Sequence, residues 1–159
     1  MSRRLAVTVA LVALTACTPN GIGVVSGGGG GGAMHVVDVN LTLNGTSSTP
    51  YGQSGAFKPA VLNVAIGDFI VFKNSDGFAH TSTSIPVKDT NNETQFPSKY
   101  PFTSAALNQT GATLSGGWSS GALQAGSSSQ TVTADKAGTY LYGCFFHYGS
   151  PMRGAIVAK

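Results

Sequence analysis

Charge is scarce in this chain: Asp, Glu, Lys and Arg together make up 9% of its 159 residues. A balance this thin leaves no electrostatic footprint for nucleic acid. The formal charge of +3 overstates even that little, because Arg3 and Arg4 fall in a segment expected to be removed. From Cys17 onward seven Lys/Arg stand against six Asp/Glu, so the mature chain is close to neutral. Cysteine is equally rare. The two present, Cys17 and Cys144, each have a better use than pairing with the other, which argues against a disulfide framework. The apolar stretch Leu5 to Leu14 is too short to cross a hydrocarbon core of about 30 Å. No paired carboxylates and no Ser-His-Asp constellation support a hydrolytic reading.

Glycine, by contrast, reaches 22 residues. Short β-branched runs between Gly, Asn and Ser clusters read as all-β, and the length fits one domain with appendages. Residues 1–16 read as an export signal, with Arg3-Arg4, the apolar stretch, and small residues before Cys17. Leu14-Thr15-Ala16-Cys17 resembles the bacterial lipobox, in which cleavage leaves the Cys as the lipidated amino terminus. The alternative is a plain secretory signal with an incidental Cys. Attachment through several acyl chains would anchor the chain stably to a membrane, in the periplasm or at the cell surface. Residues 17–33, with six glycines at Gly27–Gly32, read as a flexible tether with a reach on the order of 20 Å. No Lys-Ser/Thr follows the glycines, which argues against a phosphate cradle.

The folded domain is expected over 34–159. His35–Leu43 reads as a first strand that ends at the turn signal Asn44-Gly45. Residues 46–56 read as a polar loop. Val61–Ile66 and Phe69–Phe72 are two further strands joined through Gly67-Asp68, and Asn74-Ser-Asp-Gly77 is a turn leading to His80 and Thr81–Ile85. Residues 86–130 are hard to read. One or two edge strands are expected there, around Ala112–Leu114 and Ser128–Thr133, with Phe96, Tyr100, Phe102 and Trp118 as packing anchors. Ala134–Tyr140 resembles the turn-and-tyrosine corner of Greek-key sandwiches. Asp68 and Asp76 lie in turns, where they would cap local backbone.

The last residues carry the chemistry. A β-prone run delivers Cys144, a short loop holds His147 and Met152, and a second β-prone run, Ala155–Ala158, ends the chain. Two residues separate Cys144 from His147 and four separate His147 from Met152. Soft sulfur with imidazole suits copper, and two His, one Cys and a weak axial Met mark a blue-copper site. The second imidazole is expected from His80, after a β-prone run. His35, at a strand start, is expected to be solvated.

The Cys144-x-x-His147-x-x-x-x-Met152 run, with Gly67-Asp-Phe-Ile-Val-Phe-Lys-Asn-Ser-Asp-Gly-Phe-Ala-His80 upstream, resembles the plastocyanin and pseudoazurin branch of the cupredoxins. The resemblance covers residues 57–84 and 135–159 well and 86–130 hardly at all. It implies a Greek-key β-sandwich of about seven to eight strands, monomeric. One copper would be held by His80, Cys144, His147 and Met152 at one end, with Thr81, Phe145 and Phe146 around the ligands. It also implies a one-electron carrier between membrane-associated redox partner proteins, with His147 as the exit point. An apolar patch of Phe78, Ala79, Tyr148, Gly149 and Pro151 would surround that exit.

Two departures from the family stand out. Gly143 replaces the aromatic residue that directly precedes the ligand Cys in plastocyanins. Phe145-Phe146 replaces Ser-Pro, and an apolar shell there would raise the reduction potential by disfavouring the more charged oxidised state. A copper storage or delivery module is the competing reading, although such proteins favour exposed, exchangeable donors. A copper enzyme would need a further centre, for which only His35 remains.

Overall fold

The computed structural model of the protein describes residues 31–86 and 94–159. The expected export signal, Cys17 and most of the tether lie outside the described residues. Twelve strands are found among the described residues, more than the seven to eight expected, and three of them are only two residues long. Among the described residues there is one 3-10 turn, Ser104–Leu107, capped by Thr103. No helix there is long and apolar enough to cross a membrane.

Strand β1 (Met34–Val39) runs parallel to β6 (Phe69–Asn74), and β11 (Gly138–Gly143) pairs antiparallel with β12 (Arg153–Ala158). β5 (Val61–Val64) lies parallel to the far side of β12. These long strands alternate as the half-buried pattern requires: Ile70, Phe72 and Asn74 of β6 are buried while Phe69, Val71 and Lys73 are not. Between the two pairs run the short strands β7 (Thr83–Ser84), β9 (Gly117–Ser120), β8 (Gln109–Thr113) and β10 (Val132–Thr133). The path curls so that its two ends face each other across one core. Phe57 and Phe72 from one side meet Tyr142 from the other at ring-centroid distances of 4.8 and 5.2 Å. Trp118 stacks on Phe72 at 6.2 Å. The fold is the all-β sandwich expected.

Two local expectations change. The first strand stops at Val39 rather than Leu43, because side chains take over its backbone donors. Asn40 Oδ1 accepts from the Leu43 N–H, and Asp76 accepts from the N–H groups of Leu41 and Thr42. The polar segment 46–56 is a hairpin, β2 (Thr46–Thr49) with β3 (Gly52–Gly55), followed by β4 (Phe57–Lys58) against β1. Its Ser, Thr and Gly residues show no hydrophobic alternation because most of the hairpin is solvated. The tyrosine corner forms: Tyr140 Oη donates to the Lys136 carbonyl at 2.9 Å.

The fold has two poles. β6 and β11 run toward one of them, where the ligand loop lies. At the other, Ala33, the turn before β6 and the carboxyl end meet through Phe69 N–H to Ala33 O and Ile66 N–H to Lys159 O. Buried Asp68 clasps this base, accepting from the N–H groups of Ala33 and Ala65 and from His35 Nε2 at 2.8 Å. Burial pushes Asp68 up, but His35 and the N–H groups of Ala65 and Ala33 outweigh it and hold the carboxyl below its ordinary value. His35 is therefore engaged at the base, far from the other two imidazoles.

Candidate metal centre

Cys144 follows directly on β11, and the loop after it closes on itself. The Cys144 N–H donates to Met152 O at 3.0 Å, while the N–H groups of Ser150 and Met152 both donate to His147 O. The loop therefore leaves and re-enters the sheet at one place. His80 is held by the other side of the sandwich. Its N–H donates to Leu123 O at 3.1 Å, and the Leu123 N–H returns the bond to His80 O at 2.8 Å. Thr81 joins the two halves. Its N–H points at Cys144 Sγ at 3.3 Å, and its Oγ1 accepts from the Phe145 N–H at 2.8 Å.

These constraints bring three donor atoms together. Cys144 Sγ lies 3.8 Å from His80 Nδ1 and 3.7 Å from His147 Nδ1, and the two nitrogens are 3.2 Å apart. A triangle with these sides has a circumradius of about 2.1 Å, which matches metal–nitrogen bonds of about 2.0–2.1 Å and falls just short of a metal–sulfur bond of about 2.3 Å. His80, Cys144 and Met152 are fully buried, and His147 is half-buried. Burial pushes the Cys144 thiol up, against N–H groups that pull it down, so a cation is needed to hold the thiolate. Burial, and then the neighbouring His80, push His147 down. Both effects keep its imidazole neutral, as a metal ligand must be.

His80 has a partner that sequence reading assigned only a local capping role. Asp76, four residues earlier, places Oδ2 3.1 Å from His80 Nε2, with both side chains buried. Asp76 also accepts from the N–H groups of Leu41, Thr42 and Gly77 and from Thr42 Oγ1. Burial pushes this carboxyl up, but the Gly77 N–H, the His80 ring and Thr42 more than offset it and bring it to about 2.

Of the expected patch, Phe78 is 44% exposed, Gly149 is exposed, and Ala79, Pro151 and His147 are partly so. The Phe78 ring packs edge-on to His147 at 5.5 Å. Tyr148 does not belong to the patch. It is 2% exposed and donates from Oη to Pro97 O at 2.8 Å, and burial pushes its phenol up to about 12 despite the nearby Arg153. Its ring also accounts for Gly143, since a Cβ there would stand 2.8 Å from Tyr148 Cδ2. Phe146 likewise departs from the expected shell, being 44% exposed with its ring 6.1 Å from that of His147. Phe145 is half-buried against Tyr100. Tyr100, whose hydroxyl donates to Phe145 O, Pro97 and Leu123 were missed as parts of the site. They come from the segment with the weakest sequence pattern.

A buried cysteine sulfur and two imidazoles at the end of a β-sandwich define a mononuclear copper site of the cupredoxin kind. The family profile of copper binding proteins, plastocyanin/azurin family, matches residues 47–159, and the chain belongs to that family. Among solved structures, it is similar to a purple cupredoxin from Nitrosopumilus maritimus, with 16% identity over 78% of this chain and 98% of that one (TM-score 0.45). It is likewise similar to plastocyanin from Dryopteris crassirhizoma, at 16% identity over 79% and 100% (TM-score 0.46). Auracyanin from Roseiflexus castenholzii shares 17% identity over 82% and 99% (TM-score 0.46). No curated protein sequence matches the chain.

Proposed function

We propose that the protein is a type 1 copper electron carrier, moving one electron at a time between redox partner proteins outside the cytoplasmic membrane. The observation that carries this reading is the triangle of His80 Nδ1, Cys144 Sγ and His147 Nδ1, sized for one metal ion and tied to both halves of the sandwich. Copper bound there supplies a one-electron cycle between Cu(II) and Cu(I). The chain supplies the rest. The bonds from Thr81 to the thiolate and the loop, and the paired bonds from Leu123 to His80, hold the donors in place whatever the charge at the centre. Met152, buried in the same loop, would supply the thioether ligand.

His147 is the member nearest solvent, and exposed Phe78 and Phe146 flank it. A small apolar surface without charge suits a brief encounter, well below the area of a stable complex. The tether joins the fold at Met34, which pairs with Phe69 at the base. That is the length of β6 away from the metal pole, roughly 20 Å at about 3.3 Å per residue. A chain held to a membrane through lipid on Cys17 would therefore be attached at the pole opposite His147, and the Gly-rich tether would let it swivel to meet membrane-associated redox partners.

The test is a visible spectrum of the purified chain with copper(II), then with ascorbate. An intense absorption that bleaches on reduction and is lost in Cys144→Ser establishes the thiolate centre. Tight copper binding without that band would favour the storage or delivery reading. Incorporation of labelled fatty acid into the wild type but not into Cys17→Ala would establish the anchor.

A further inference from the structure

His80 is the most constrained of the three donors, and the constraint comes from a charge. Asp76 takes hydrogen bonds from four donors besides His80: the N–H groups of Leu41, Thr42 and Gly77, and the Thr42 hydroxyl. A carboxylate so occupied is an acceptor only, so the proton in its contact with His80 must lie on Nε2. In the neutral ring Nδ1 is then the bare nitrogen, and it is the one that faces Cys144 Sγ and His147 Nδ1.

We propose that Asp76 is a positioning residue for the metal centre, locking His80 in the Nε2–H tautomer and lowering the reduction potential through its buried negative charge. The proposal rests on His80 being a copper ligand. A carboxylate behind a ligand imidazole raises the basicity of the nitrogen that faces the metal. The oxidised centre carries one more positive charge than the reduced one. Asp76, ionised and buried against His80, therefore stabilises the oxidised state more. A neutral acceptor in the same place would give up that difference while keeping the hydrogen bond.

The decisive variant is Asp76→Asn, loaded with copper in the full-length chain and titrated against redox mediators. Loss of an outer carboxylate typically weakens metal affinity by about 10–100-fold. If Cu(II) affinity falls about tenfold more than Cu(I) affinity, the potential rises by about 59 mV, the one-electron equivalent of a tenfold ratio. Thr42→Val removes one of the other bonds to Asp76 and leaves the His80 contact. It is expected to lower thermal stability with no change in potential. A folded Asp76→Asn protein whose Cu(II)/Cu(I) affinity ratio stays within about twofold of wild type would reduce Asp76 to a loop staple.

The tautomer is read separately from the ¹⁵N shifts of His80 in the metal-free wild-type chain. The Nε2–H form is expected, and the Nδ1–H form overturns the proposal even if Asp76→Asn fails to fold. Absence of the thiolate band would instead sink the copper reading itself, so the two failures are distinguishable.

Discussion

At the scale of single residues, Thr81 does two jobs with different groups. Its N–H reaches the thiolate sulfur, and its hydroxyl oxygen accepts from the Phe145 N–H. Thr81→Val keeps the first and deletes the second, leaving the Phe145 N–H without its acceptor and removing the bond that the Thr83 hydroxyl donates to Thr81 Oγ1. The expected loss is about 1–3 kcal/mol in denaturant unfolding of the metal-free chain, with the copper spectrum retained. Phe145 and Phe146 also separate at this scale. Phe145→Ser should lower the reduction potential, because its ring is half-buried beside Cys144. Phe146→Ser should leave the potential alone, because its ring already faces water. Equal shifts from the two would contradict the exposure difference. Tyr142 offers the opposite case. Its buried hydroxyl has no hydrogen-bond partner, and burial pushes the phenol far up. Tyr142→Phe should therefore be neutral or stabilising in thermal unfolding.

At the scale of elements, the ligand loop depends on a neighbour distant in sequence. Tyr148 turns inward and anchors to Pro97, and its ring fills the space beside Gly143. The guanidinium of Arg153 lies 4.2 Å over that ring and donates from Nε to Tyr148 O. Gly143→Ala would force the ring or the strand to move, at a cost of about 1–3 kcal/mol. Combining it with Tyr148→Leu should recover part of that cost, which a double-mutant cycle measures. Purely additive losses would show that the two positions do not meet. The same packing explains why the aromatic residue that plastocyanins carry before the ligand Cys has no room here.

At the scale of the whole molecule, the two poles separate stability from chemistry. Asp68 ties His35, Ala33 and Ala65 together at the base, opposite the donors. A carboxyl held below its ordinary value stabilises the fold above the unfolded pKa of about 3.9 and loses that contribution as pH falls through the folded value. The wild-type advantage over Asp68→Asn should thus shrink as pH falls below about 4. Unfolding of the metal-free proteins across that range is the check, and an advantage that survived to the lowest pH would contradict the ionised clasp. The copper spectrum of Asp68→Asn should match the wild type, since the base and the site share no side chain.

Much of this molecule could be read before any coordinates. Cys144 and His147 were legible because one loop carries them at a spacing that chemistry restricts. His80 was legible because a strand and a turn lead to it. The long strands were legible because burial on one face forces alternation, as in β6. The hairpin at Thr46–Gly55 and the strand Gly117–Ser120 were not, because solvated edges and hydroxyl-rich strands carry no hydrophobic period. Nor could sequence alone turn Tyr148 inward or Phe146 outward, since adjacent loop aromatics are told apart only by what packs against them. Leu123, Pro97 and Tyr100 reach the site by closure of the sheet, which joins segments that no local pattern links. Asp76 sat in plain view in a turn. Only the fold, by bringing His80 over it and burying both, set a capping carboxylate against an imidazole of the donor triangle.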